Sequence, residues 1–331
     1  MPNLRVTTDD IERIADKTLL SYGRNSGAKQ SAFWVLLALS GVIATAGVVN
    51  DSDATVIGAM IVAPLMTPIL GVAFAIVMAD RHRAWRSMLV VAGGALLVIA
   101  IAYGFGLLDT LDAVTTNNSQ VEGRVNPKLI DLLAALATGL VGAFALVRAD
   151  VSDTLPGVAI AISLVPPLAV VGLTLEEGKF DDAAGAFLLF GTNVTAIIFT
   201  ATLLLLRYKV RETAQAAGYP VGRFQGRTLG LIALAVAVVA VPLAIGTQKV
   251  LRETYASVQI TPIASDWAAE NGWDVERVTV DASTVTVVAV GRPPEISPEL
   301  LRQSLDEEGF GAYDLRVELV IGGEQTLPGS G

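Results

Sequence analysis

The stretch Asp51-Ser-Asp-Ala-Thr-Val-Ile-Gly58-Ala-Met-Ile-Val-Ala-Pro64-Leu-Met-Thr-Pro68-Ile-Leu-Gly71 decides the fold. No charged residue or histidine follows Asp53 until Asp80. A helix needs about 20 apolar residues to cross the hydrocarbon core of a membrane, and residues 54–79 exceed that. Pro64 and Pro68 stand near the middle of the run. Each removes a backbone donor and clashes with the preceding turn, at about 3 kcal/mol or more in a helix interior. The stretch therefore predicts a membrane span that breaks on its way across.

The rest of the chain has the same character. Of its 331 residues 53% are hydrophobic and only 17% charged, against about 25% charged in a soluble domain; the mean hydropathy is +0.58. That excludes a cytosolic enzyme and a disordered chain. A net charge of −9 excludes nucleic acid as a partner, which needs a basic surface. The chain has no cysteine and a single histidine, His82, so thiolate and His-rich metal sites are absent. No cofactor is expected.

Seven charge-poor stretches are long enough to span: 33–49, 54–79, 87–108, 129–147, 154–175, 183–206 and 229–246. Basic residues in the connections set orientation. With the N-terminus inside, the inner segments hold 14 Lys and Arg and the short outer loops hold three, Arg124, Lys128 and Lys179. The N-terminus is thus cytoplasmic, and the seventh span delivers the C-terminal region outside. Residues 1–30 form a leader in which Ile11, Ile14, Ala15, Thr18 and Leu19 repeat at helical spacing behind Thr8 and Asp9, which suit an N-cap. It reads as an amphipathic helix at the inner surface or as a solvated one. His82 lies among Arg81, Arg83 and Arg86 beside Trp85, an interfacial belt.

Residues 247–331 are soluble in composition and hold 14 acidic against 6 basic residues. Their pattern is helix, strand, strand, helix, strand. A helix is expected over Pro262–Asn271, strands over Val275–Val280 and Thr284–Val290 with a hairpin between, a helix opening at Ser297-Pro298-Glu299, and a strand over Leu315–Ile321. This predicts an acidic, extracytoplasmic α+β domain of the ferredoxin-like kind, whose order also resembles lipid-associated BON domains.

A second stretch mirrors the first: Asp150-Val-Ser-Asp-Thr-Leu-Pro156-Gly157-Val-Ala-Ile-Ala-Ile-Ser163-Leu-Val-Pro166-Pro167-Leu168-Ala-Val-Val-Gly172. Gly58 to Gly157 and Pro68 to Pro167 are both separations of 99 residues. Three spans per copy is an odd number, so the second copy enters the membrane in the opposite sense. The fold class is therefore a mainly α polytopic bundle of about seven spans, with spans 1–3 and 4–6 as an inverted 3+3 repeat. The bland reading is two Pro-kinked packing helices.

The segments Val56–Gly71 and Pro156–Gly172, with the later Thr192-Asn-Val-Thr-Ala-Ile197, resemble the bacterial and archaeal hydrophobic membrane proteins grouped as domain of unknown function 389. The resemblance covers about residues 31–206. It implies a prokaryotic inner-membrane location and no particular substrate. Many such proteins carry a soluble domain ahead of the spans, whereas here the soluble region comes last.

Apart from Asp131 at the interface end of span 4, no charged residue or histidine lies inside a span, so a proton relay through a buried carboxylate is disfavoured. The polar groups left are backbone, hydroxyl and amide. Asp51 and Asp53 at one face, and Asp150 and Asp153 at the other, suit helix caps or cation-attracting vestibules. Paired interrupted spans point to a transporter site near the midplane, built from Pro64, Thr67, Pro68 and Ile69 in span 2, Ser163, Pro166, Pro167 and Leu168 in span 5, and Thr192 and Asn193 in span 6. The second half-helices would offer free N–H groups from Ile69 and Leu168. Glycines at 41, 47, 93, 94, 139, 142, 185 and 191 mark seams where helices approach closely and where copies of the chain meet in a homo-oligomer. The expected function is a transporter or channel-like permease for a small polar solute or ion. The alternative is a membrane-anchored scaffold or sensor whose outer domain binds a partner. An intramembrane enzyme is disfavoured, because the spans offer no acid, base or metal.

Overall fold

Proline and chain polarity explain the central feature of the fold. The computed structural model of the chain describes residues 6–23, 25–108, 118–148, 164–222, 230, 234, 255–281, 284–292, 294 and 296–321. It divides into two compact units, Met1–Ala244 and Ile245–Gly331. In the first, helix α1 is Thr8–Thr18, α2 Ser26–Val49, α3 Asp53–Val62, α4 Met66–Val77, α5 Arg81–Gly106, α6 Ser119–Val125, α7 Leu129–Val147, α8 Val165–Glu176, α9 Phe180–Arg207 and α10 Val210–Ala216. Among the described residues α2, α5, α7 and α9 are each long and apolar enough to cross a membrane, and the bent pair α3–α4 makes a fifth candidate. The expected seven spans are thus met in part. The first half of span 5, with Ser163, Asp150 and Asp153, lies outside the described residues, as does nearly all of span 7.

Span 2 is broken. Ala63 is extended (φ −68°, ψ 122°), the conformation that a following proline forces on its neighbour. Pro64 cannot donate, and α4 restarts at Met66 with Pro68 in its first turn, where a missing N–H costs nothing. The axes of α3 and α4 meet at 47°. Pro166 and Pro167 likewise occupy the first turn of α8.

The two short helices α4 and α8 are the centre of the unit. Ten of the twelve residues of α4, and ten of twelve in α8, are buried. Both pack against α5 and against α9. Glycine seams hold the outer helices close. A Cβ on Gly94 would meet Leu37 at 2.8 Å, one on Gly47 would meet Val56 at 2.8 Å, and one on Gly142 would meet Met66 at 2.7 Å. Gly191 departs from the expectation: nothing lies within 4 Å of a Cβ built there.

The leader is neither a free surface helix nor a solvated one. Its predicted stripe of Ile11, Ile14, Ala15, Thr18 and Leu19 is buried against α4, with further contacts to α10 and α7. A Cβ on Gly71 of α4 would lie 2.6 Å from the Thr18 carbonyl oxygen, so this glycine is where α1 enters the bundle. The N-cap is Thr7, not Thr8 or Asp9. Its N–H and hydroxyl both donate to the Asp10 carboxylate, at 2.8 and 2.7 Å. The Tyr219 hydroxyl donates to Glu12 (2.8 Å), and Arg211 donates to the carbonyls of Val77 (3.0 Å) and Gly222 (2.6 Å).

In the second unit, helix α11 covers residues 255–269, followed by strands β1 (Trp273–Asp281) and β2 (Thr284–Gly291), helix α12 (Pro298–Glu307) and strand β3 (Asp314–Ile321). The expected element order is met. The sheet order is β1-β2-β3, with β1 antiparallel and β3 parallel to β2. A ferredoxin-like split βαβ unit places another strand between its parallel strands; here β2 and β3 pair directly, so that finer expectation is corrected. Val285, Val287 and Ala289 alternate inward onto Ile260, Ala264 and Trp267 of α11 and Leu301 and Leu305 of α12. Trp273 lies flat against Gly291, its partner in the ladder.

Candidate functional site

The candidate site is assembled from three elements. The first is the break between α3 and α4, with Pro64 and Thr67 half-buried and Pro68 and Ile69 buried. The second is the start of α8, with Pro166, Pro167 and Leu168 buried. The third is the middle of α9, where Thr192 and Asn193 are 1% and 3% exposed. The fold brings α9 against both half-helices. Ser163 is outside the described residues.

The donors differ from those the sequence suggested. The Thr67 N–H donates to the Pro64 carbonyl (3.1 Å) and Ile69 to that of Leu65 (3.5 Å). The positive end of α4 is therefore at Leu65–Met66, a turn before Ile69. Most hydroxyls in the spans are committed to their own helices. Thr192 donates to the Leu188 carbonyl (2.7 Å), Thr195 to Gly191 (2.8 Å), Thr138 to Ala134 (2.8 Å) and Thr200 to Ala196 (2.9 Å). This is the usual fate of Ser and Thr in a helix. Ser40 instead crosses from α2 to the Ala59 carbonyl of α3 (2.8 Å), in the last turns before the break.

Two features were not legible in the sequence. The first is a polar clasp at the start of span 2. Asp51 and Asp53 are not the helix caps; Ser52 is, accepting from the Thr55 N–H (3.4 Å). Asp51 sits at φ +49° and accepts from the Ser119 hydroxyl (2.7 Å) and the Gln120 N–H (3.1 Å). Asp53 accepts from the Gln120 side chain. The Ser119 hydrogen bond holds the Asp51 carboxyl below its ordinary value of 3.8. Burial holds the Arg124 guanidinium below its ordinary value, against the pull of Asp53 and Asp51. The clasp ties α6 across the α2–α3 turn, so the vestibule reading of Asp51 and Asp53 gives way to a structural one.

The second is a groove of about 630 Å³ between α5 and α9, floored by Val72 and Ile76 of α4. Its walls are apolar except for Thr195, whose hydroxyl is already bonded to Gly191. Nothing in the periodicity marks it, because both helices are apolar around most of their circumference. Among the described residues no cluster of three or more His, Asp or Glu side chains could hold a metal ion.

Comparison with known proteins agrees with the region that carries these elements. The chain is 29% identical over 204 residues to an uncharacterized protein of Methanocaldococcus jannaschii. The matched part is 61% of this chain and 62% of that one, so the chain spans under two thirds of its relative's length. No solved structure matches. The family model described as Domain of unknown function (DUF389) matches residues 60–199, from the last turn of α3 to the lower half of α9. The part of the chain that holds both short helices and the middle of α9 is similar to the DUF389 family.

Proposed function

We propose that the bundle is a permease or channel-like passage for a small polar solute or ion, bound at mid-depth where spans 2 and 5 are broken. One observation carries this reading: the 47° break at 63–65 directs an almost wholly buried half-helix, α4, into the middle of the protein. Irregular backbone at membrane depth is tolerated where it is buried in protein or lines a watery cavity, and interrupted helices in matching positions mark transporter sites.

Helix lengths support a common depth. The ten residues of α3 rise about 15 Å, half of a hydrocarbon core of roughly 30 Å. The twelve residues of α8 rise about 18 Å, which carries Pro166 and Pro167 to mid-depth from the other side. Asn193 is the fourteenth residue of the 28 in α9. The likeness of α4 and α8 in length, proline placement, burial and packing partners supports the inverted 3+3 repeat. The N–H ends at Met66 and Val165 favour an anion or a neutral polar solute. Passage is facilitated or coupled to an ion other than the proton, with no catalytic residue, metal or cofactor. The protein is a homo-oligomer of the prokaryotic plasma membrane, with the N-terminus inside and the acidic unit outside.

The test is purified full-length protein in liposomes, screened against small anions, cations and neutral solutes. Pro64→Ala with Pro68→Ala, and separately Asn193→Leu, should insert normally and lose most of the solute signal. Solute movement should survive deletion of residues 256–331. A wild-type protein that moves and binds nothing above empty liposomes overturns the proposal. The second reading, a scaffold whose acidic unit binds a partner, is favoured by the self-contained core of residues 256–319.

A further inference from the structure

The groove between α5 and α9 is a different place from the break at 63–65, and its length and lining indicate what suits it. On the α5 wall it runs from Met88 to Ile99, about 16 Å at 1.5 Å per residue. That is the depth of one leaflet, half of the roughly 30 Å core. An acyl chain of one leaflet matches that length, and the lining is apolar throughout except for Thr195. Small residues, Ala92 and Ala95 of α5 and Gly191 of α9, keep its walls flat. In most membrane bundles such residues let helices close on one another. Here α5 and α9 are held by α4 and α8, and the small residues line a void instead.

The groove also has a charged end. The α5 stripe that lines it continues toward the helix start at i−3 and i−7 from Met88, which are Trp85 and Arg81. Trp85 is 64% exposed, and Arg81 is exposed and carries no ion pair among the described residues. Arg83 is by contrast engaged with Asp80 (3.3 Å) and with the face of Tyr22. An exposed guanidinium and an indole at the membrane interface, at the head of a leaflet-deep apolar slot, suit an anionic headgroup with its tail in the slot.

We propose that this groove is a binding site for one anionic phospholipid, its headgroup at Arg81 beside Trp85 and its tail between α5 and α9. The site does not depend on the transport reading. The test uses the purified full-length chain exchanged into an equal mixture of phosphatidylglycerol and phosphatidylcholine, followed by native mass spectrometry. The wild type should keep one lipid per chain and prefer phosphatidylglycerol about tenfold. Ala92→Trp and Gly191→Leu each fill the slot from one wall, Ala92 being exposed and Gly191 having open space for a side chain. Both should lose the lipid while keeping the wild-type elution volume. Arg81→Gln should keep a lipid and lose the preference. Retention of no lipid by the wild type, or equal retention by Ala92→Trp and Gly191→Leu, overturns the proposal. So does a wild-type dimer that both filled variants abolish, which assigns the slot to a second copy. A disulfide between cysteines placed at Ala92 and Leu234 in this cysteine-free chain also overturns it, assigning the slot to the chain's own segment 229–246.

Discussion

Leucine at Gly139 and leucine at Gly191 should move stability in opposite directions, although both are mid-helix glycines in apolar spans. A Cβ on Gly139 would lie 2.8 Å from both the Cα and the carbonyl oxygen of Ile197, with the Thr200 hydroxyl nearer still. Backbone cannot rotate aside, so α7 and α9 must part by roughly 0.5–1 Å, which forfeits a quarter to a half of each contact along the seam. With about 40 atom pairs at about 0.1–0.2 kcal/mol each, the loss is about 1–4 kcal/mol before the rest of the leucine is accommodated. Replacing glycine in a helix returns up to about 1 kcal/mol. Gly139→Leu should therefore destabilise by about 2 kcal/mol or more. Gly191→Leu meets nothing within 4 Å and keeps only the favourable helix term, so it should be neutral or stabilising by up to about 1 kcal/mol. Thermal unfolding of both variants in one detergent, with Gly139→Ala as an intermediate step, measures the difference. Equal shifts, or a Gly139→Leu protein as stable as wild type, would refute the close α7–α9 seam.

Three further outcomes are expected. An impermeant thiol reagent applied from outside should label a cysteine placed at Glu122 and spare cysteines at His82 and Gln215; outside labelling at His82 would end the opposite orientation of spans 2 and 5. The Tyr219 hydroxyl, donating to Glu12, is pushed up to about 12 from its ordinary 10.0. A raised value stabilises below pH 10 and the contribution is lost as pH climbs toward 12, so resistance of residues 8–18 to protease should fall across that window more steeply in wild type than in Tyr219→Phe. Asp51 is held below 3.8; its contribution is present above that pH and lost as pH falls further, so the α6 clasp should open to protease only below about pH 4, and at higher pH in Ser119→Ala.

The sequence revealed what depends on local chemistry. Charge-free runs located α2, α7 and α9, and proline located the break, because an absent N–H acts at its own position whatever surrounds it. Boundaries slipped where charged side chains continue an apolar helix. Arg81, Arg83 and Arg86 belong to the first turns of α5, since a long side chain can keep its charged head in water while its helix continues as an apolar one. Pro262 has the composition of a helix start, yet the described part of α11 already covers the seven residues before it. The proline is on the exposed side, where the carbonyl it leaves unbonded meets solvent. In the site, the break in span 2 was legible, but the donors at Ile69 were not, since α4 resumes before Pro68 rather than after it. The partners of Asp51 lie 68 and 69 residues away, and the apolar stripe of α1 does not reveal whether protein or lipid covers it. Such long-range choices leave no periodic signature.

The docking of α1 has a consequence for how the protein is made. Glu12 waits for Tyr219, 207 residues later, and Arg13 for the Val147 carbonyl, 134 residues later. At about 5–20 residues per second, roughly 10–40 s separate the synthesis of the first helix from that of its last partner. For most of that interval Ile11, Ile14 and Leu19 have only α4, and later α7, to cover them. A helix made before all of its partners is thus completed only after them, and the growing chain must shelter its apolar stripe, on the bilayer surface or on a chaperone, until the last of the elements it closes against is in place.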